Sequence, residues 1–81
     1  MKAATKYESM LGSFVIEIND DYVGVNNAST PAHRNLHYGM LEHINDYIRS
    51  MEALGIASHR IYNATNLMLS AVDGVRLIEA W

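Results

Sequence analysis

The sequence predicts an α+β protein, with an antiparallel sheet of four or five strands and one long helix packed on a face of that sheet (ββαββ). Three patterns lead to this prediction: alternating apolar residues at 13–18, an amphipathic segment at 30–54, and two apolar runs joined by Asp73-Gly74. The chain has 81 residues, of which 49% are hydrophobic and 19% charged, so we expect a single folded domain over 1–81.

Residues 13–27 are predicted to form a β-hairpin. Every second residue of the first strand is large and apolar, which is the period of a strand with one buried face: these are Phe14, Ile16 and Ile18. The polar residues at 19–21 favour a turn, and YVGV after them favours a second strand. Gly24 within that strand indicates a bulge or a close approach to the backbone.

Residues 30–54 are predicted to form the long helix. Ser29 or Thr30 is a suitable N-cap, and Pro31 suits the first turn, where a helix needs no backbone N–H. Gly55 is suited to end the helix, because it adopts a positive φ without strain. Large apolar side chains recur at spacings of three and four: Leu36, Met40, Ile44, Tyr47, Met51 and Leu54. This stripe requires an apolar surface to pack against.

The last third of the chain has two interpretations. A helix from Ser58 onward gives the alternative order ββαα, but Asn63, Thr65 and Asn66 are unfavourable inside a helix. We favour two strands, in LMLSAV and VRLIEAW, because the Asp73-Gly74 sequence between them is typical of a type I′ hairpin turn.

Two shorter segments are less constrained. RIYNA at 60–64 is a candidate for a fifth strand of the sheet. Residues 1–12 are expected either to be frayed or to form a short helix that ends at Gly12.

A C-terminal hairpin would leave one apolar face of the sheet without a cover. With Val72 opposite Val75, one face carries Met68, Leu77 and Trp81, and the other face is apolar as well. Because one helix covers a single face, we expect the second face to be an interface, most simply in a homodimer. The N-terminal segment is the alternative cover of that face.

Histidines provide the candidate metal ligands. His33 and His37 lie four residues apart at the start of the long helix and therefore share one side of it. The stretch HRNLH lacks the Glu that follows the first His in zinc-protease helices, and both histidines continue the apolar stripe. We therefore expect packing histidines, with no bound metal and no other cofactor.

The composition argues against several classes of protein. The chain has no cysteine, which excludes disulfides, thiolate metal sites and a cysteine nucleophile. A net charge of −3 with six Lys and Arg argues against binding nucleic acid by neutralising phosphates. No apolar run approaches the roughly 20 residues that span a bilayer, and the N-terminus has no apolar leader, so we expect a soluble, cytoplasmic protein.

These observations favour a small non-enzymatic module that binds a partner protein and modulates or inhibits it. The sequence has no nucleophile elbow and no phosphate-binding loop. On the polar side of the long helix, Tyr38 lies among charged residues, with Glu42 and Arg49 as further candidate contacts. By analogy of size and composition, a phage or mobile-element inhibitor of a host defence enzyme is one form of this hypothesis.

Two further functions stay open. A small-ligand or metal-assisted enzyme would use His33, His37 and His59 in the cleft of a dimer. A single-strand nucleic-acid binder would stack bases on aromatic side chains of the sheet, such as Tyr22 or Trp81.

Overall fold

The computed structural model describes residues 2–9, 12–20, 22–27 and 34–81, which form a four-stranded sheet and two helices. In chain order the elements are β1 (Ala3–Ser9), β2 (Gly12–Asn19), β3 (Tyr22–Asn27), α1 (Arg34–Ala53), α2 (Ser58–Ser70) and β4 (Arg76–Ala80). The strand order is β3-β2-β1-β4, and each neighbouring pair is antiparallel. The predicted α+β class and antiparallel sheet are confirmed, and a second helix stands beside the long one.

β2 and β3 form the predicted hairpin. Phe14, Ile16 and Ile18 are buried, as their alternation requires. They share a face with Val23 of β3, which lies opposite Ile18 and is buried too. The pairing continues without a shift past Gly24, so this glycine marks no bulge.

The expectation of a frayed or helical N-terminus is wrong, because β1 lies in the interior of the sheet. It pairs with β2 on one side and with β4 on the other. Tyr7 is buried on the helix side, where its ring stacks on Phe14 with 5.8 Å between the ring centroids. The other helix-side positions hold Ala3, Thr5 and Ser9, which are small or polar, so the apolar alternation that identifies a strand is weak in this segment.

α1 ends at the predicted glycine. Gly55 has a φ of +78°, and its N–H donates to the Glu52 carbonyl at 2.9 Å. The N–H of Ile56 donates to the Met51 carbonyl at 3.1 Å, which completes the two bonds of a Schellman motif. Ile56 and Met51 both pack against the core, so the chain leaves the helix in a fixed direction. The predicted cap and first turn, residues 29–31, lie outside the described residues.

The predicted C-terminal hairpin is wrong, because residues 67–70 of its first strand belong to α2. Two of the residues that are unfavourable in a helix gain side-chain hydrogen bonds there. Thr65 Oγ1 donates to the Ile61 carbonyl at 2.8 Å, and Asn66 Nδ2 donates to the Tyr62 carbonyl at 2.9 Å. These two bonds are local, but the Asn66 side chain also accepts tertiary hydrogen bonds from Thr5 and Tyr7 of β1. Helix propensity is worth less than about 1 kcal/mol per residue, so tertiary contacts outweigh it.

The Asp73-Gly74 turn connects α2 to β4 instead of joining two strands. Gly74 has a φ of +83°, as the turn chemistry of this dipeptide favours. The candidate fifth strand at 60–64 also lies inside α2. The local signal for a turn was therefore right, and its assignment to a hairpin was wrong.

The hydrophobic core lies between one face of the sheet and the two helices. The helices contribute Leu41, Ile44, Ile48, Ile61, Tyr62 and Leu69. No helix in the described ranges combines the length and the apolar character that crossing a membrane requires. In the described part of the chain, neither helix packs on the other face of the sheet.

Candidate functional site

The sheet face turned away from the helices is mixed in polarity, and we call it the open face. Residues alternate along each strand, so the positions between the core residues face outward. These positions include Ala4, Lys6 and Glu8 in β1, Val15 and Glu17 in β2, Tyr22, Gly24 and Asn26 in β3, and Arg76 and Glu79 in β4. The prediction that both sheet faces are apolar is therefore wrong, because it depended on a hairpin that does not form.

One row of residues crosses the open face near an end of the sheet. Trp81 exchanges two backbone hydrogen bonds with Ala4, with N···O distances of 2.8 and 2.5 Å. Ala4 lies opposite Glu17, and Glu17 lies opposite Gly24. Neighbouring strands are about 4.8 Å apart, so the row spans roughly 14 Å. Two of its four residues, Ala4 and Gly24, are small, so neither places a large side chain of its own on this face.

Two aromatic side chains border this row. Trp81 is 61% exposed at one side, and Tyr22 is 44% exposed at the other. Tyr22 precedes Gly24 by two residues on the same face, and its phenol lies where a Cβ on Gly24 would project. Glycine at position 24 therefore lets the tyrosine ring lie flat on the strand. The spacing Tyr-x-Gly on a strand is the sequence signal that would have indicated this arrangement.

An open groove of about 420 Å³ lies between the two aromatic side chains, and we call it the aromatic groove. It is lined mainly by Lys2, Ala4, Glu17, Asn19, Tyr22 and Trp81. The Glu17 carboxylate accepts a hydrogen bond from Asn26 Nδ2, which fixes its position. The groove thus offers two apolar walls, one held carboxylate and one ammonium group, a combination suited to binding a polypeptide.

The residues predicted as interface contacts do not form one patch. Leu77 and Trp81 are exposed on β4 and directly after it, whereas Met68 is partly buried against the core. Glu42 and Arg49 are exposed on α1, and Arg49 forms an ion pair with Asp46 at 2.5 Å. Of the predicted contacts whose side chains the structure describes, Trp81 alone lines the aromatic groove.

Tyr38 belongs to α1, but its side chain lies outside what the structure describes. No local sequence signal marks Lys2 and Ala4 as groove residues, because this end of the chain reaches the groove through the backbone pairing of Ala4 with Trp81.

No group of three or more His, Cys, Asp or Glu side chains is placed to hold a metal ion in the described part of the chain. His33 lies outside that part, and His37 belongs to α1 with a side chain that is not described. His59 is exposed at the start of α2, beside a shallow concavity that Asn19 and Asp20 also line. The hypothesis of a metal-assisted enzyme gains no residue cluster from these positions.

A partly buried polar cluster joins α2 to β1 on the helix side of the sheet. Asn66 Oδ1 accepts a hydrogen bond from Thr5 Oγ1 at 2.6 Å and another from the Tyr7 hydroxyl. Burial raises the pKa of the Tyr7 phenol above its ordinary value of 10.0. Tyr7 is almost fully enclosed, so this cluster stabilises the fold and offers no surface for a substrate.

Comparisons of this chain with protein-family models, with curated proteins and with solved structures give no match. The class of the protein therefore rests on the fold and the groove: a small α+β protein in which the described residues place two helices on one face of an antiparallel sheet. The aromatic groove on the other face is its candidate binding site.

Proposed function

We propose that this protein is a non-enzymatic module that binds a partner protein through the aromatic groove. The observation that carries the proposal is the pair of exposed aromatic side chains, Trp81 and Tyr22, on either side of the groove. Tryptophan and tyrosine supply much of the binding energy at protein interfaces, because they bury a large area at a low cost in side-chain entropy. A partner that covers them removes this apolar surface from water.

The shape of the groove favours an extended segment of the partner that crosses the strands. The row from Trp81 to Gly24 spans roughly 14 Å, which is the length of about four extended residues. One apolar side chain of the segment would pack against Trp81 and another against Tyr22. Between them, Glu17 is placed to accept a hydrogen bond from a backbone N–H or from a basic side chain.

The charges of the open face make a nucleic acid the weaker candidate. Among the described residues, the open face and its groove hold three cations among three carboxylates: Lys2, Lys6 and Arg76 with Glu8, Glu17 and Glu79. The Arg76 guanidinium already donates a hydrogen bond to the Glu8 carboxylate. A phosphate backbone that followed this surface would meet carboxylates as often as cations, which opposes binding.

Binding through a sheet face would act on the partner by occluding the surface that it covers. Modulation or inhibition of the partner is therefore part of the proposal, and a phage or mobile-element inhibitor of a host defence enzyme is its most specific form. A cytoplasmic location is part of it too, since a chain without cysteine needs no oxidising compartment for disulfides.

Affinity capture with matched variants tests the proposal. The wild type, Trp81→Ala and the control Leu67→Ala are used to capture proteins from a lysate of the source organism. Leu67 is a suitable control because it is as exposed as Trp81 but lies on α2. We expect a protein that the wild type and the control retain and that Trp81→Ala loses. By calorimetry with that purified protein, Trp81→Ala should weaken binding about thirtyfold, the effect of a hot-spot residue worth about 2 kcal/mol.

Two results would contradict the proposal. One is a captured partner whose affinity is the same for the wild type, Trp81→Ala and Tyr22→Ala. The other is binding of a single-stranded oligonucleotide at low salt that both substitutions abolish, which would assign the groove to nucleic acid.

A further inference from the structure

β4 is an edge strand whose outer side has no neighbouring strand among the described residues. All its residues are exposed, including Leu77 at 52% and Ile78 at 42%. Proteins normally protect such an edge with proline, with charges, with a bulge or with a covering segment, because its free N–H and C=O groups recruit another strand. β4 carries two charges and a bulge, but it has no proline and presents two adjacent large apolar residues, so this edge is suited to pairing.

The hydrogen bonds at the end of β4 show which backbone groups face the free side. Trp81 and Ala4 exchange both of their bonds across the pair of strands. In an antiparallel pair, such residues alternate with residues whose N–H and C=O point the other way. Ala80 therefore directs its N–H and its C=O away from β1, toward the side that a further strand would occupy.

A β-bulge interrupts the pairing of β4 with β1. Glu79 lies opposite Lys6, and Leu77 lies opposite Tyr7, although these two β4 residues are two positions apart. Ile78 is therefore an extra residue, and the usual alternation of faces shifts by one position there.

The bulge places two opposite charges on the same face of β4. Arg76 lies opposite Glu8, and Glu79 lies opposite Lys6. Lys6 and Glu8 are two residues apart on β1 and share the open face, so Arg76 and Glu79 share that face as well. On a regular strand, residues three positions apart would face opposite sides. The strand is thus charge-complementary to an antiparallel copy of itself.

A two-fold axis perpendicular to the sheet, between Leu77 and Ile78, makes use of this complementarity. It places Arg76 of each copy opposite Glu79 of the other, and Leu77 opposite Ile78. An axis through Ile78 would instead set Leu77, which faces the helix side, against Glu79, which faces the open side. The first register is therefore the one that matches both the charges and the faces.

We propose that the free edge of β4 pairs in this register with a second copy of the chain, giving a dimer with one continuous antiparallel sheet. Negative and positive side chains then alternate across the junction. Glu8 and Arg76 of one copy are followed by Glu79 and Lys6 of the other copy. All helices of the dimer lie on one side, and both aromatic grooves lie on the other. The two Trp81 side chains stand roughly 20 Å apart along the strands. The dimer does not depend on what the groove binds.

Charge variants that complement each other test the register directly. In a dimer of the Arg76→Glu variant, two pairs of carboxylates face each other across the junction. In a dimer of the Glu79→Lys variant, two pairs of cations face each other there. In a mixture of the two variants, both pairs across the junction are again of opposite sign. By sedimentation velocity over a range of concentrations, we expect the wild type at about twice the 9.1 kDa chain mass. Each variant alone should dimerise about ten- to thirtyfold more weakly, and the mixture should recover the dimer.

Two further variants keep the test independent of folding and of the groove. Ala80→Pro removes the outward N–H but leaves the bonds between β4 and β1 in place, so it should lower the mass without loss of the circular dichroism signal. Tyr22→Ala lies at the far edge of the sheet and should leave the dimer intact even where it abolishes partner capture. A wild type that is monomeric at all concentrations would overturn the proposal. So would charge variants that dimerise as the wild type does, or folded variants whose mixture does not recover the dimer.

Discussion

The side-chain amide of Asn66 links α2 to β1, and replacing it measures how far this link stabilises the fold. Its Oδ1 accepts hydrogen bonds from Thr5 Oγ1, at 2.6 Å, and from the Tyr7 hydroxyl. Its Nδ2 donates to the Tyr62 carbonyl at 2.9 Å, within α2. One side chain therefore satisfies polar groups of the helix and of the interior strand at the same time.

Asn66→Ala should destabilise the protein by about 2–3 kcal/mol. The substitution leaves the buried Tyr7 hydroxyl with a single long contact, 3.5 Å to the carbonyl of residue 66. An unsatisfied buried hydroxyl costs about 1–3 kcal/mol, and the lost bond to Thr5 adds to that cost. For a chain of this length the total free energy of unfolding is about 4–12 kcal/mol, so the loss is a large part of it.

Urea unfolding followed by circular dichroism provides the measurement, and a double-mutant cycle with Tyr7→Phe isolates the contact. Because Tyr7→Phe removes the hydroxyl that would be left without a partner, Asn66→Ala should cost about 1 kcal/mol less in that background. A loss below about 0.5 kcal/mol for Asn66→Ala, or fully additive effects of the two substitutions, would refute this reasoning.

The remaining predictions concern pH and backbone conformation. Burial raises the pKa of Tyr7 above 10.0, so the folded state holds a proton that the unfolded state loses. The free energy of unfolding should therefore fall as the pH rises above 10.0, and it should fall less steeply in Tyr7→Phe. Unfolding measured at alkaline pH would show this difference. Gly55→Ala should lower the free energy of unfolding by about 1–2 kcal/mol, because φ is +78° at this position. Gly39 lies inside α1 with open space where a Cβ would project, so Gly39→Ala should raise the free energy of unfolding by about 0.5–1 kcal/mol. Melting temperatures that shift by the same amount in the same direction for Gly55→Ala and Gly39→Ala would contradict this prediction.

Local signals were sufficient where an element specifies its own boundaries. The β2–β3 hairpin carries the alternation of Phe14, Ile16 and Ile18, together with a polar turn. α1 carries a long apolar stripe, and Gly55 ends it with the bonds of a Schellman motif. In each case the pattern of buried side chains and the terminating residue lie within a few positions of each other in the chain.

Local signals were insufficient where the partner of a segment lies far away in the sequence. β1 was missed because it lies between β2 and β4, so that Thr5 can occupy a helix-side position by bonding to Asn66. The aromatic groove was missed for the same reason, since Trp81 reaches it through the pairing of β4 with β1.

The sequence by itself determined the α+β class, the β2–β3 hairpin, the long helix and its end, and the turn at Asp73-Gly74. Only the tertiary structure decided that residues 58–70 are a helix and that residues 3–9 are a strand. The physical reason is long-range contact: Tyr7 and Leu69 are buried in one core, and the Asn66 amide accepts bonds from Thr5 and Tyr7, about 60 residues away. Helix and strand propensities differ by about 1 kcal/mol per residue or less, so a few such contacts across the fold decide between them.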